Sequence, residues 1–236
     1  MKLGIIAAGE GSRLKSDGFD SPKPLINICG KSLLERLFIT ANSNNFESVN
    51  IIINSENLLI SEYIKKFSDS YHIPYNLIIK STPSSFHSFY ELGKFLCEDN
   101  FCLSTIDSVY SASEFSKYIE SCRQISSKGL IALTGFVDDE KPLWAETDGN
   151  LNITAFTDSK GNSSYVTGGI YYFRKGVYDI AEEAMRLNIN RLRNFLRFLL
   201  TRDFPLSGFV FDKIIDVDRK EDIQAAENFI KINQRN

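Results

Sequence analysis

Short apolar runs alternate with amphipathic stretches along the first half of the chain. The apolar runs have the length of buried strands and cover residues 3–8, 48–54, 75–80 and 101–106. Apolar residues at helical spacing follow each run and predict helices over residues 31–42, 56–67, 86–96 and 113–125. Strands that alternate with helices predict crossover connections and a parallel sheet that is covered by helices on both faces.

The second half has a different pattern, in which strand-like runs are separated by turn residues. These runs cover residues 130–137, 144–146, 152–156 and 166–173. Further along, the pattern predicts one or two helices over residues 177–200, short strands over residues 208–212 and 213–217, and a terminal helix over residues 221–232. Because no repeat, low-complexity tract or linker divides residues 1–236, we predict one domain, in which about residues 1–128 bind one ligand and about residues 129–236 complete the site.

Composition narrows the class of protein. With 43% apolar and 24% charged residues, the 236-residue chain is typical of a soluble globular protein. The net charge of −3 argues against a broad nucleic-acid-binding surface. No apolar run approaches the ~20 residues of a membrane span, and the glycine-rich start is unlike a signal peptide. Four cysteines without a C-x-x-C pair indicate reduced thiols in a cytoplasmic protein, and two histidines argue against a His-rich metal site.

A glycine-rich segment follows the first predicted strand, at the end of the sheet where ligands of open α/β proteins bind. Gly9 and Gly11 allow the backbone to approach an anion and to point N–H groups at it, and Arg13 can grip a phosphate with two hydrogen bonds. Lys23 lies between two prolines that stiffen its backbone, which suits a charge that develops at a phosphorus centre. The alternative is a plain strand-to-helix turn with a surface Arg and Lys.

Two other phosphate-binding loops do not match. The dinucleotide fingerprint G-x-G-x-x-G requires a small residue where this chain has Leu14, and the P-loop pattern G-x-x-x-x-G-K-[ST] is absent. The segment G-x-G-S-R followed by S-P-K-P-L resembles instead the signature of the nucleotidyltransferase superfamily, which includes sugar-1-phosphate nucleotidylyltransferases, MobA-like proteins and choline-phosphate cytidylyltransferases. The resemblance implies a Rossmann-like three-layer α/β/α sandwich with a mixed, mostly parallel sheet.

The resemblance also implies roles for individual residues. The implied nucleotide-binding residues are Ala8, Gly9, Gly11, Ser12, Arg13, Lys23 and Thr82. The implied catalytic residues are Arg13, Lys23 and Lys160, and the implied acceptor-binding residues are Trp144, Gly169 and Tyr171. The alternative for Gly169 and Tyr171 is a buried aromatic strand with a glycine bulge, and the alternative for Lys160 is a solvated loop.

Two carboxylates are candidates to hold Mg²⁺, which prefers one or two carboxylates together with phosphate oxygens and waters. Asp107 ends the fourth predicted strand, although Ile106 replaces the glycine that often precedes this Asp in the superfamily. Asp218 belongs to a late D-V-D-x-x-E-D element that resembles the superfamily's second metal position, with Asp216 as the fallback ligand. The alternatives are a turn-capping role for Asp107 and, for Asp218, a capping box with Glu221.

The acceptor is left open by two departures from the sugar nucleotidylyltransferase pattern. Residues 81–88 carry side chains where that pattern has small residues, and they look more like the choline-phosphate cytidylyltransferases. Trp144 could hold a quaternary ammonium through a cation–π contact, or it packs in the core. The basic residues at positions 186, 191, 193 and 197 are interpreted as a solvated helix face.

The resemblance implies a direct displacement, in which a phosphate oxygen of the acceptor attacks the α-phosphorus of a nucleoside triphosphate (NTP) and pyrophosphate leaves. A phosphate monoester needs no strong general base, so alignment and charge neutralisation would supply catalysis. We expect a sugar 1-phosphate as the acceptor and an NDP-sugar as the product. The alternatives are CTP:phosphocholine cytidylyltransferase activity and a non-catalytic nucleotide-binding regulatory domain. We expect no nucleic-acid or membrane partner, and the sequence leaves a homodimer open.

Overall fold

The computed structural model describes residues 1–9, 11–56, 58–137 and 140–233. Its strands are β1 (Lys2–Ala7), β2 (Asn27–Ile28), β3 (Lys31–Ser32), β4 (Val49–Ile53), β5 (Tyr75–Ile79), β6 (Phe101–Thr105), β7 (Ser108–Tyr110), β8 (Gly129–Thr134), β9 (Trp144–Thr147), β10 (Ile153–Thr157), β11 (Tyr165–Phe173), β12 (Leu206–Phe211) and β13 (Ile214–Asp216). Its helices are α1 (Ser12–Ser16), α2 (Leu33–Ser43), α3 (Leu59–Tyr71), α4 (Ser85–Leu96), α5 (Ala112–Gln124), α6 (Val177–Arg186), α7 (Leu192–Leu200) and α8 (Lys220–Asn233), and Lys23–Leu25 form a 3₁₀ turn.

The main sheet follows the spatial order β5, β4, β1, β6, β11, β8, β12. Strands β5, β4, β1 and β6 are parallel to one another, as the alternation of strands and helices predicts. Strand β11 is antiparallel to β6 and to β8, and β12 is parallel to β8. The β9–β10 hairpin extends the sheet from the first residues of β11. The predicted α/β fold with a mixed, mostly parallel sheet is therefore confirmed.

Helices cover both faces of this sheet because its strands are apolar on both sides. Along β1, Leu3 and Ile5 face a core that includes apolar residues of α2, α3 and α5. Ile6, which follows Ile5, faces a second core that includes apolar residues of α4, α6 and α7. Alternate residues of a strand point to opposite faces, so the two cores lie on opposite sides of the sheet, as in a three-layer sandwich.

Helix boundaries differ from the prediction where local hydrogen bonds decide them. The helix that was predicted from residue 31 begins at Leu33, because Lys31 and Ser32 pair with β2. The Ser32 hydroxyl then accepts the Glu35 backbone N–H at 3.1 Å and caps α2. Residues 177–200 form two helices, α6 and α7, and not one.

Two further observations concern the expected environment of the chain. Among the described residues, no helix combines the length and the apolar character that crossing a membrane requires. The four cysteines all lie in the described part of the chain and are free thiols. Cys102 and Cys122 are buried, and burial raises the pKa of both thiols. A raised thiol pKa keeps a cysteine in its unreactive form.

Candidate active site

Two cavities meet at the carboxyl ends of the parallel strands. The loop cavity, of about 630 Å³, is lined by the glycine-rich loop, Lys23, residues 81–85 and Asp218. The β11 cavity, of about 280 Å³, is lined by residues of β11, of the segment after β8 and of the first turn of α7. Both cavities are lined by Ser85, Thr105 and Asp107. A third cavity, of about 480 Å³ between α4 and α6, contains none of the predicted site residues.

The glycine-rich loop turns sharply against Lys23. Gly11 has a φ of +61° and precedes α1, a left-handed conformation that glycine adopts without strain. A Cβ atom on Gly11 would lie 3.2 Å from the Cβ of Lys23. The predicted nucleotide-binding residues Ala8, Gly9, Gly11, Ser12, Arg13, Lys23 and Thr82 all line the loop cavity. The structure thus brings together segments that the sequence analysis assigned to one phosphate-binding site.

Four charged side chains form a compact group, which we call the charge cluster: Arg13, Lys23, Asp107 and Asp218. The Lys23 ammonium donates to Asp107 Oδ2 at 2.6 Å and also contacts Asp218 Oδ1. Arg13 Nη1 lies 2.5 Å from Asp218 Oδ2. The Lys23 side chain is only 8% exposed, so its charge requires these carboxylate partners.

Electrostatics in the cluster keep Lys23 charged. Burial alone would lower the pKa of Lys23, but the carboxylates of Asp107, Asp216 and Asp218 raise it well above its usual range. Burial favours the neutral form of Asp107, yet the Lys23 ammonium brings the pKa of Asp107 below its ordinary value. Burial and the neighbouring Asp107 raise the pKa of Asp216 well above its ordinary value. An ionised Asp107 and a charged Lys23 are therefore the stable pair in the free protein.

Helix α8 is capped by a residue other than the one that the sequence pattern indicates. The carboxylate of Asp222 accepts the backbone N–H groups of Asp218 at 2.9 Å and of Arg219 at 2.6 Å. The alternative of a capping box between Asp218 and Glu221 is therefore not what the structure contains. Because Asp222 accepts the N–H groups at the start of the helix, the Asp218 side chain is available to contact Lys23 and Arg13.

A small two-stranded sheet positions Asp218 beside Asp107. Strand β13 pairs with β7 in antiparallel register, with Asp216 opposite Ser108. The backbone N–H of Val217 donates to the carbonyl oxygen of Asp107 at 3.1 Å. These contacts place the D-V-D element against the end of β6 and explain how residues 107 and 218 converge.

Asp107 and Asp218 fit a Mg²⁺ ion that phosphate oxygens and waters complete. Both carboxylates touch the same ammonium nitrogen, so a cation at that position has an oxygen ligand from each. In the described ranges, no group of three or more His, Cys, Asp or Glu side chains is arranged to hold a metal ion. Two carboxylates are too few ligands by themselves, so a Mg²⁺ ion at this position would also need phosphate oxygens and waters.

Gly169 shapes the β11 cavity. Its φ is +74°, and it lies where the register between β11 and β8 shifts, as the predicted glycine bulge requires. A Cβ atom on Gly169 would lie 2.3 Å from Ser108 Oγ and 2.5 Å from Thr105 Oγ1. Gly169 and Tyr171, both predicted acceptor-binding residues, line this cavity.

We expect Gly169→Ala to lower the free energy of unfolding by about 1–3 kcal/mol, because alanine at this φ is strained and its methyl group collides with two hydroxyls. Denaturant unfolding measures the change. The matched control is Gly149→Ala, because an added Cβ at Gly149 meets no atom within 4 Å. Equal stability of the two variants would contradict the assigned role of Gly169.

Trp144 and Lys160 lie together but outside both cavities. Trp144 belongs to β9 and is 9% exposed. The Lys160 ammonium lies 5.7 Å from the centroid of the Trp144 ring. Neither side chain lines the loop cavity or the β11 cavity. The structure therefore does not bring these two predicted residues to the charge cluster.

Arg193 is a site residue that the sequence analysis missed, because the basic residues of the late helices were interpreted as a solvated face. Its side chain is 30% exposed and lines the β11 cavity. The guanidinium is held by Asp158 Oδ1 at 3.0 Å and by the carbonyl oxygen of Lys141 at 2.8 Å. Arg197 also contacts Asp158, at 2.8 Å, but does not line the cavity. Helical spacing alone cannot distinguish these two arginines.

The segment over residues 81–88 leaves the loop cavity open despite its larger side chains. Thr82 Oγ1 lies 2.6 Å from Ser88 Oγ, and Ser81 Oγ donates to Asn54 Oδ1 at 2.7 Å. The three hydroxyls thus have partners within the lining of the cavity, which also includes Asn54. The larger side chains of this segment therefore coexist with a loop cavity of about 630 Å³.

Comparison with known proteins agrees with this geometry. The model of the family described as nucleotidyl transferase matches residues 3–231. A curated relative, the bifunctional IPC transferase and DIPP synthase of Aquifex aeolicus (strain VF5), is 23% identical over an alignment of 242 positions. The alignment covers 96% of this chain and 51% of the relative. The chain thus spans about half the length of that relative.

Solved structures share the fold. The inositol-1-phosphate CTP transferase from T. maritima superposes with a TM-score of 0.82 at 18% identity, over 99% of this chain and 96% of that one. A putative glucose-1-phosphate thymidylyltransferase from Bacillus anthracis superposes with a TM-score of 0.83 at 17% identity, over 97% of this chain and 94% of that one. UDP-glucose pyrophosphorylase, complexed with UDP-glucose, superposes with a TM-score of 0.78 at 15% identity, over 98% of each chain.

Proposed function

The chain belongs to the nucleotidyl transferase family, and on that premise we propose that it transfers a nucleoside monophosphate from an NTP to the phosphate of a polyhydroxylated ring, with release of pyrophosphate. The observation that carries this proposal is the meeting of two cavities at Asp107, next to Lys23. A two-substrate phosphoryl-type transfer needs such a junction, because the attacking and leaving groups must lie on opposite sides of one phosphorus atom.

The loop cavity is the proposed NTP site. Gly9 and Gly11 leave backbone N–H groups accessible to phosphate oxygens, and Arg13 and Lys23 line the same cavity. A fork-shaped guanidinium and a buried ammonium suit the charge of a departing pyrophosphate. The hydroxyl-bearing residues 81–88 then border the ribose and base.

The β11 cavity is the proposed acceptor site, and its lining favours a sugar phosphate or an inositol phosphate. Thr105, Thr134 and Thr167 supply hydroxyls for a ring that carries several hydroxyl groups, and Arg193 supplies a fixed positive charge for its phosphate. Two of the similar proteins are named for inositol 1-phosphate and glucose 1-phosphate. Their names support this acceptor class without selecting one member.

Phosphocholine is a poorer candidate on the same geometry. A quaternary ammonium would need the exposed face of an aromatic ring. The ring of Trp144, the residue that suggested this acceptor, is buried and already has the Lys160 ammonium 5.7 Å from its centroid. A second cation at this position would be repelled, so the choline alternative loses one of its two supports and keeps only the departure over residues 81–88.

In the proposed reaction, Arg193 and the threonines hold the acceptor while Arg13, Lys23 and the loop hold the NTP. An acceptor phosphate oxygen attacks the α-phosphorus from the Asp107 side, the bond to the β-phosphate oxygen breaks, and Lys23 and Arg13 bear the charge of pyrophosphate. Mg²⁺, when bound by Asp107 and Asp218, would neutralise phosphate charge. No side chain has to remove a proton, because a phosphate monoester is already an anion.

The test is a panel of five NTPs (ATP, GTP, CTP, UTP and dTTP) against glucose 1-phosphate, inositol 1-phosphate and phosphocholine, with Mg²⁺ and a pyrophosphate readout. We expect release only when an NTP and one of the two ring phosphates are both present. Release with phosphocholine alone among the acceptors would overturn the acceptor class. NTP binding without release for any acceptor tested would support the non-catalytic alternative.

We expect Arg193→Met to raise KM for the ring phosphate about ten- to a hundredfold, as the loss of one charge-assisted hydrogen bond predicts, and to leave KM for the NTP unchanged. Steady-state kinetics with each substrate varied in turn measures both constants. Arg197→Met is the matched control, since Arg197 shares the contact with Asp158 but does not line the cavity. A similar rise in both variants would indicate a structural effect through Asp158.

A further inference from the structure

Lys23 lies at the position that a metal ion between Asp107 and Asp218 would take. Its ammonium contacts one oxygen of each carboxylate, and the second oxygen of Asp218 contacts Arg13. The side chain of Lys23 is nearly buried, and Pro22 and Pro24 flank its backbone. The proposed metal ligands are therefore already neutralised, by cations that belong to the protein itself.

This arrangement opposes the binding of a metal without a nucleotide. The two cations cancel the charges of the two carboxylates within the charge cluster, so most of the attraction of Asp107 and Asp218 for a divalent ion is lost. A divalent ion that reached the carboxylates would meet the Lys23 ammonium at close range. Burial makes such a like-charge contact costly, since water screens it poorly.

The same arrangement changes when a triphosphate enters the loop cavity. Lys23 and Arg13 both line this cavity, so phosphate oxygens offer them new partners. If the two side chains turn to the phosphates, Asp107 and Asp218 lose their cations and become two free carboxylates close together. That pair, with phosphate oxygens beside it, is the donor set that Mg²⁺ prefers.

We propose that Lys23 acts as an internal cation that keeps divalent metal out of the Asp107–Asp218 site until a triphosphate draws the ammonium away. The metal site is thus created by nucleotide binding and is absent from the free protein. The inference rests on the proposed function only for the identity of the anion. Its central claim, the competition between an ammonium and a metal for two carboxylates, concerns the free protein.

The test measures metal alone, without nucleotide. Mn²⁺, which accepts the same oxygen ligands as Mg²⁺, is titrated into the wild type and into Lys23→Met, and free Mn²⁺ is followed by electron paramagnetic resonance. We expect Lys23→Met to bind Mn²⁺ about tenfold or more tightly than the wild type, because the removal of one positive charge leaves the cluster with a net negative charge. Mn²⁺ should likewise raise the Tm of Lys23→Met more than that of the wild type.

Two control variants separate this mechanism from a general change in charge. Lys15→Met removes an equal charge from an exposed position on the same helix as Arg13 and should bind Mn²⁺ as the wild type does. Adding Asp107→Asn to Lys23→Met should abolish the gained affinity. Circular dichroism establishes that each variant is folded.

Equal Mn²⁺ affinity in the wild type and in Lys23→Met, or no binding by either, would overturn the inference. The pyrophosphate panel on the wild type is independent of this result. Pyrophosphate release together with equal Mn²⁺ affinities would refute the internal-cation role alone. Tight Mn²⁺ binding by Lys23→Met without any release by the wild type would refute the proposed function alone.

Discussion

Lys23→Met is expected to lower kcat about a thousandfold at saturating NTP and acceptor, because one preorganised cation is lost at the point where phosphate charge develops. The side chain is held in place by two carboxylates and flanked by two prolines, so neither water nor a neighbouring residue can reproduce its position. The initial rate of pyrophosphate release measures the effect.

The control for this prediction is Lys15→Met, which makes the same chemical change on the exposed side of α1. Its kcat should stay within about twofold of the wild type, as surface substitutions usually do. If Lys23→Met kept more than a tenth of wild-type turnover, the assignment of Lys23 to the reacting phosphates would be wrong. Tighter metal binding together with slower turnover in one variant would be hard to explain by misfolding.

Asp107→Asn is expected to lower kcat by a similar factor, about a hundred- to a thousandfold. Asparagine has nearly the same shape, so the cavities keep their form, but the negative charge between them is lost. The variant should also need more Mg²⁺ for half-maximal rate, because one of two anionic ligands has become neutral. Rates measured over a range of Mg²⁺ concentrations test both effects.

Asp212→Asn is the control for Asp107→Asn, since Asp212 is exposed and lies outside both cavities. Asp216→Asn gives a second comparison, because Asp216 lines the β11 cavity and was the fallback ligand. A loss with Asp216→Asn that exceeds the loss with Asp107→Asn would exchange the proposed roles of the two residues. Unchanged kcat and Mg²⁺ dependence in Asp107→Asn would remove Asp107 from the proposed metal site.

The parallel part of the fold could be predicted because its inner strands, β1, β4 and β6, are buried on both faces. Residues 3–8, 48–54 and 101–106 are short apolar runs, and each is followed by a helical pattern of sufficient length to cross the sheet. The meeting of the glycine-rich loop with Lys23 in one cavity could also be predicted, since Gly11 and Lys23 belong to compact motifs that lie close together in the sequence. In the structure, these elements are next to one another, with β1 between β4 and β6.

The rest of the site depends on contacts between distant parts of the chain, which local patterns do not contain. Strand β7 is only three residues long, and its pairing with β13 across more than a hundred positions has no local signal. Asp222 and Glu221 are both plausible partners for a helix N-terminus. The helix begins at Lys220, one residue later than a capping box with Glu221 requires, and Asp222 accepts the backbone N–H groups instead. The sequence pattern does not distinguish Arg193 from Arg197, and only the folded structure shows that Arg193 lines the β11 cavity.

The proposed NTP site and the proposed acceptor site are two largely separate cavities, which has a consequence for how the acceptor could change. Among the described residues, the cavities have Ser85, Thr105 and Asp107 in common, while the β11 cavity takes most of its lining from the second half of the chain. On the proposed assignment of the cavities, substitutions confined to residues 134–137, 142–143 and 166–171 are expected to alter the acceptor and to leave NTP binding unchanged. We therefore expect amino-acid changes, in natural relatives or in a laboratory library, to be least constrained among the residues that line the β11 cavity.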